Sequence, residues 1–254
     1  MIGIFDSGSG GLSVYREIWK LLPREKYVYF SDNANCPYGD KSRDFIIGRA
    51  EAITERLIES GCDIVTVACN TATAAAISTL RSRYGIPFIG MEPAVKPAAL
   101  STRSGVIGVL ATAGTLKASK YLDTRDRYTD GIKVVEHVGQ GFVELVEKGI
   151  LEGPAAEETV RRSVEPLVEA GADVIVLGCT HYPFLSSVIA KVAGEGVRII
   201  DPAPAAARHL LDVMREKGLV REDGKPDAPS PRDADIRLFS SGDGAALNRI
   251  FSLL

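Results

Sequence analysis

GCDIVTVAC at residues 61–69 and GADVIVLGC at residues 171–179 align without a gap, at an offset of 110. Each is a run of β-branched and other apolar residues that ends on a cysteine. A helix-like segment follows at once, NTATAAA from Asn70 and THYPFLS from Thr180. A short apolar run that feeds directly into a helical pattern is the signature of a buried parallel strand with a crossover helix.

Nearly the same offset recurs elsewhere. IGIFDSG from Ile2 matches IGVLATAG from Ile107, and MEPAVKPAA with Glu92 matches IDPAPAAAR with Asp201. The chain therefore reads as two similar halves. Strands are expected at 2–5, 27–31, 63–68, 87–90, 105–110, 132–137, 173–178, 197–200 and 235–240. Amphipathic helical patterns alternate with them, among them LSVYREIWKLL and RDFIIGRAEAITERLIES. The second sets Phe45, Ile46, Ile53, Leu57 and Ile58 along one broad face. The expected fold class is α/β, with two pseudosymmetric domains, each a parallel-type sheet flanked by helices, and the active site between them. After about residue 208 come one more helix, the Pro/Asp-rich loop REDGKPDAPSPRDAD (221–235), and a final strand and helix that return to the first half. The expected domains are thus 1–95 plus 210–254, and 96–209.

The 254 residues are 45% hydrophobic and 25% charged, enough for a large core, and the net charge is −3. That balance lacks the basic surplus of a phosphate-backbone binder, so nucleic acid is not expected as a partner. The N-terminus has no charged leader and meets Asp6 after five residues. This is neither a signal peptide nor a membrane span, and a cytoplasmic location is expected. The four cysteines (36, 62, 69, 179) have no close spacing, so neither a disulfide framework, a zinc site nor CxxC redox chemistry is expected.

In open parallel sheets, ligands bind outside the carboxyl ends of the strands, where Cys69 and Cys179 fall. A thiol there lies near helix N-H groups and the positive end of a helix dipole, which favour thiolate. Each is flanked by polar residues that a core would not welcome, Asn70 and Thr71 beside one, Thr180 and His181 beside the other. Cys36 and Cys62 have no such setting and read as small buried hydrophobes.

FDSGSGG at 5–11 admits two readings. Gly8, Gly10, a helix and Asp32 at the end of a second strand outline a dinucleotide fingerprint, although its third glycine position is Ser13. Alternatively Asp6 partners a catalytic thiol and Ser7 holds a substrate ammonium or carboxylate. DNANCPYGDKS at 32–42 is a turn that presents Tyr38 and the backbone of Gly39 to a ligand. ATAGT at 111–115 offers hydroxyls and amides to a carboxylate. His181, two residues beyond Cys179, is placed to assist proton transfer.

These segments, with EPA, DPA and SSGD, resemble along essentially the whole chain the glutamate racemases of the cofactor-independent aspartate/glutamate racemase superfamily. The resemblance implies an amino acid held between two α/β domains and interconversion of L- and D-glutamate, supplying D-glutamate for peptidoglycan, with no cofactor and no metal. It makes Cys69 and Cys179 the acid/base thiols, Cys69 acting on D-glutamate and Cys179 on L-glutamate, with Asp6 and His181 as their helpers. Substrate contacts come by the same route from Asp6, Ser7, Tyr38, Gly39, Asn70, Thr71, Thr180 and His181. Where many members read CPxFVPLVE, this chain has GQGFVELVEKG at 139–149: the final glutamate survives as Glu147, but the cysteine and prolines are absent. Aspartate-specific relatives usually carry a glutamate after the second Cys-Thr, and His181 stands there instead. Members that respond to a cell-wall precursor carry an extra N-terminal segment, so activation of that kind is not expected. The oligomeric state is open, a homodimer included.

The chemistry agrees with the resemblance. Racemisation removes a proton from one face of Cα and supplies one to the other, so two opposed acid/base groups are the minimal apparatus. Oriented N-H and hydroxyl donors would then stabilise the developing charge. A nicotinamide-dependent oxidoreductase and a two-lobed binding protein are the rival classes. The first leaves the paired thiols unexplained, and the second lacks a secretion signal.

Overall fold

The computed structural model describes residues 1–221 and 229–254, so part of the Pro/Asp-rich loop, residues 222–228, lies outside the described residues. Nine strands form two wholly parallel sheets among them. In chain order these are β1 (Ile2–Asp6), β2 (Lys26–Ser31), β3 (Ile64–Val67), β4 (Phe88–Gly90), β5 (Val106–Ala111), β6 (Lys133–Val138), β7 (Val174–Gly178), β8 (Arg198–Ile200) and β9 (Asp235–Ser240). All nine fall where the apolar runs put them.

The first sheet runs β4-β3-β1-β2-β9 and the second β6-β5-β7-β8. Turned end for end, the second reads β8-β7-β5-β6, which is the order of β4-β3-β1-β2. The sequence repeat is thus a repeat of topology, with β9 added outside β2. In each half the chain leaves the central strand toward one edge and leaves its neighbour toward the other. The switch point where ligands bind therefore falls between β1 and β3, and again between β5 and β7. Register brings the relevant ends level. Phe5 pairs with Val67 and Ala111 with Gly178, so Asp6 lies beside Ala68, and Thr112 beside Cys179.

Side chains alternate between faces, as a pleated strand requires. Ile107, Val109, Val174 and Val176 point into a small core under the second sheet, whereas Leu110, Ile175 and Leu177 point to the opposite face. There they share one core with Ile2, Ile4, Leu12 and Tyr15 of the first half. A third core lies on the far face of the first sheet, around Phe5, Val65, Val67, Ile46 and Ile53.

Helix Arg43–Glu59 starts at Ser42, whose hydroxyl accepts from the Phe45 amide at 3.3 Å. Its buried stripe is Ile46, Ala50, Ile53, Thr54 and Leu57, narrower than the face expected from the sequence. Phe45 lies at the margin of that stripe and stays exposed, with the Lys41 ammonium 5.9 Å from its ring centre. Ile58 is only half-buried. Helix Ala203–Glu216 packs on helix Leu12–Leu21 and on β4, so its whole length, across 209/210, lies with the first sheet. Among the described residues no helix is long and apolar enough to cross a membrane.

Candidate active site

Cys69 follows β3 by two residues and caps helix Asn70–Arg83, with the Ala72 amide donating to Sγ at 3.4 Å. The thiol faces the Ser7 hydroxyl at 3.7 Å. The helix terminus alone favours thiolate, but here burial pushes the thiol well up and the nearby Asp6 charge adds to it. Cys69 therefore rests as a thiol, against the sequence expectation. Asp6 is fully buried at the end of β1. Its Oδ2 accepts from the Gly11 amide at 2.8 Å and from the Thr180 hydroxyl at 3.3 Å, and its Oδ1 has no partner. Burial raises its carboxyl above the usual range, only partly countered by the nearby His181 charge and the Gly11 bond.

Cys179 stands at the equivalent end of β7, and its Sγ lies 3.8 Å from His181 Nδ1. The other ring nitrogen, Nε2, meets Glu147 Oε1 at 2.7 Å. Glu147 ends the short helix Phe142–Glu147 of the second half and reaches across to the first. It accepts from the Ser9 amide at 2.6 Å, the Ser9 hydroxyl at 3.1 Å and Asn33 Nδ2 at 2.9 Å. Burial opposes charge on both members of the pair. Bonds to Cys179, Cys36 and Glu147 outweigh it for His181 and hold the imidazole well above its ordinary range. Bonds to His181 and Ser9 do the same for Glu147 and hold its carboxyl low. An imidazolium thus sits between a carboxylate and the Cys179 sulfur.

One narrow, partly open pocket, with about 280 Å³ of empty space out to its mouth, is lined by Ser7, Tyr38, Gly39, Cys69, Asn70, Thr71, Thr112, Cys179, Thr180 and His181, with Pro37, Val143 and Gly178. Every sequence-expected site residue except Asp6 lines it, and Asp6 lies behind, bonded to Thr180. Asn70 presents both side-chain polar atoms without a partner. A buried amide of that kind is costly unless a ligand satisfies it. The hydroxyls of Thr71, Thr112 and Thr115 form a triangle with sides of 2.9, 3.0 and 3.2 Å that ties the two halves together at the cavity wall. Tyr38 lines the pocket with its hydroxyl already engaged. Its hydroxyl donates to Asp32 at 2.5 Å, alongside the Arg49 guanidinium at 2.7 Å, so its side chain faces the first half's core. Asp32 is therefore committed to an ion pair rather than free for a ribose.

The glycines of FDSGSGG have a reason other than a pyrophosphate. A Cβ at Gly10 would stand 2.3 Å from His181 Nδ1, and one at Gly8 would stand 2.4 Å from Glu147 Oε1. The turn is glycine-rich because the second half presses His181 and Glu147 against it. No space remains there for a dinucleotide. Glu147 and Cys36, which adjoins the ring, had no local signal, because both gain their setting from contacts far along the chain.

Comparison with known proteins gives the same answer. The family described as Asp/Glu/Hydantoin racemase matches residues 2–210. A glutamate racemase of Ectopseudomonas mendocina is 45% identical over all 254 residues, covering 94% of its own length. The solved glutamate racemase of Escherichia coli, in complex with L-glutamate and the activator UDP-MurNAc-Ala, superposes with a TM-score of 0.86 at 32% identity, covering 99% of this chain and 92% of that one. The RacE1 isoform of Bacillus anthracis gives 0.84 at 33%, covering 98% and 91%. With paired strand-end cysteines facing one cavity and relatives of this closeness, the chain belongs to the Asp/Glu/hydantoin racemase family and is an amino-acid racemase, an isomerase.

Proposed function

We propose that this enzyme interconverts L- and D-glutamate by proton transfer at Cα between two thiols, without a cofactor, and that its D-glutamate serves peptidoglycan synthesis. The observation that carries the reading is that Cys69 and Cys179, from repeat-equivalent strand ends, line one small cavity. Its polar lining suits an amino acid: Ser7, Asn70, Thr71 and Thr180 offer hydrogen bonds to the α-carboxylate and ammonium.

In the L to D direction the Cys179 thiolate, facing the His181 imidazolium, takes the Cα proton. Cys69, held as a thiol by burial, gives its proton to the opposite face. The cycle leaves Cys179 protonated and Cys69 as thiolate. Cys69 then regains a proton from the Asp6 carboxyl, and His181 takes the Cys179 proton once it has passed its own Nε2 proton to Glu147 and so to solvent, which returns both sulfurs to their starting states. The reverse direction begins with Asp6 drawing the proton from Cys69. Donors around the carboxylate are fixed by the fold and stabilise the charge that develops there. The two sheets support a division into domains of 1–95 plus 210–254 and 96–209 except at helix Ala203–Glu216, which crosses the later boundary and packs with the first sheet.

The test is loss of optical rotation from L-glutamate in chelator-treated enzyme with no pyridoxal phosphate, nicotinamide or metal added. Turnover of glutamate well above that of aspartate is expected. Faster turnover of aspartate, or dependence on an added cofactor, would overturn the assignment.

A further inference from the structure

Cys36 plays no part in the proton transfer above, yet it does not lie among apolar neighbours alone. Its Sγ, a carboxylate oxygen of Glu147 and a ring nitrogen of His181 all fall within 4.8 Å of one another. A Cβ built at Gly8 would be 2.4 Å from the carboxylate oxygen, 2.9 Å from the sulfur and 3.1 Å from the nitrogen, so the three atoms converge on one place. We infer that Cys36, Glu147 and His181 form a binding site for a thiophilic divalent cation, zinc being the fitting member.

The donor set is thiolate, imidazole and carboxylate, the three kinds that zinc takes, with a fourth position left for water. Tetrahedral zinc at its ordinary bond lengths sets ligand atoms about 3.3–3.6 Å apart. The Nε2 to Oε1 separation is 2.7 Å, so the carboxylate and ring need to part by less than an ångström, and the proton between them leaves as metal enters. The surroundings are those of a supported site. The Ser9 amide and hydroxyl and Asn33 Nδ2 orient the carboxylate, and Nδ1 of the ring is held toward Cys179. Entry is from the side of Cys36 and Glu147, both partly exposed, and not through the substrate cavity, whose lining includes neither.

Occupancy has a consequence that rests on the two-thiol reading. A cation on Nε2 removes Glu147 from the ring and leaves Nδ1-H unable to pass a proton on, so Cys179 loses its helper. Zinc is thus an inhibitor at this site rather than a cofactor, in keeping with the activity expected of chelator-treated enzyme.

The experiment titrates the full chain with cobalt(II) chloride and follows the thiolate-to-cobalt charge-transfer absorption, which does not depend on activity. One equivalent should bind with that band, and Cys36→Ala should lose the band and bind at least about tenfold more weakly. The same variant, measured against its own zinc-free rate, should escape inhibition by zinc, which in the wild type is reversed by chelator. Absence of a cobalt-thiolate band in the wild type, or an unchanged band and affinity in Cys36→Ala, would overturn the site. Wild-type zinc sensitivity in Cys36→Ala would overturn its role as the inhibitory one.

Discussion

At the scale of single residues, the His181–Glu147 pair sets how the site responds to pH. His181 is raised in the folded state, so its contribution to stability is full below its unfolded pKa of about 6.5 and is lost as pH rises through the folded value. Glu147 is lowered, so its contribution is present above about pH 4.3 and is lost as pH falls through its folded value. Both are present together between about pH 4.3 and 6.5. Glu147→Gln should therefore destabilise the protein most in that window, by roughly 2–3 kcal/mol for loss of a mostly buried pair, with the gap narrowing at higher pH. Denaturant melts of both proteins across pH measure it, and a gap that widens with rising pH would contradict the assignment. The Gly10 position makes a second prediction. Its missing Cβ lets His181 approach, so Gly10→Ala should cost about 100-fold in kcat by displacing the ring, with the fold kept by circular dichroism. Near-normal turnover would show that His181 is not needed in that place. At this scale the sequence was partly legible. Cys69 and Cys179 stand out because hydrophilic neighbours make no sense in a core. Glu147 does not, since Ser9 and Asn33, which define it, lie 138 and 114 residues away. Tyr38 lies in the expected turn and lines the pocket, with its hydroxyl engaged by Asp32, a partner the turn's sequence did not single out.

At the scale of elements, the legible feature was the strand. Apolar runs mark β1, β2, β3, β5 and β7, which are almost wholly buried and need no other signal, whereas β6, β8 and β9 are only partly buried and carry charged residues among the apolar ones. Helix faces were less legible. A 3.6-residue period places Ile46, Ala50, Ile53 and Leu57 in line, but nothing in the pattern says how far the covering sheet extends on either side, and Phe45 fell outside it. The short helix Ala113–Leu116 is where the elements of the two halves meet. Thr112 caps it, accepting from the Thr115 amide at 3.3 Å, and completes the hydroxyl triangle with Thr71. Thr112→Val keeps the shape and removes the cap, so it should lower stability by about 1 kcal/mol. It should also raise the KM for glutamate more than it lowers kcat, because Thr112 lines the cavity without touching the reacting carbon. A change confined to kcat would place it in the chemistry instead.

At the scale of the whole molecule, the repeat decided the architecture before any helix was assigned, because two halves with the same strand order put equivalent strand ends in equivalent places. What the repeat could not show is how tightly the halves join. One core runs through both, with Leu110, Phe142 and Ile175 in the same cluster as Ile2, Leu12 and Tyr15. Arg249 of the last helix donates to the Glu147 carbonyl at 2.8 Å. The halves should therefore melt together, giving one calorimetric transition whose calorimetric and van't Hoff enthalpies agree, and two resolved transitions would contradict a shared core. The same architecture carries the central claim, that one thiol from each half works on its own face of Cα. Exchange of the Cα proton in heavy water by single-cysteine variants tests it most directly. Cys69→Ala and Cys179→Ala should both bind glutamate and fail to racemise it, because a proton taken from one face finds no donor opposite. Cys69→Ala should exchange only L-glutamate and Cys179→Ala only D-glutamate, each with retention of configuration. Near-normal racemisation by either variant, or exchange of the same enantiomer by both, would contradict the account.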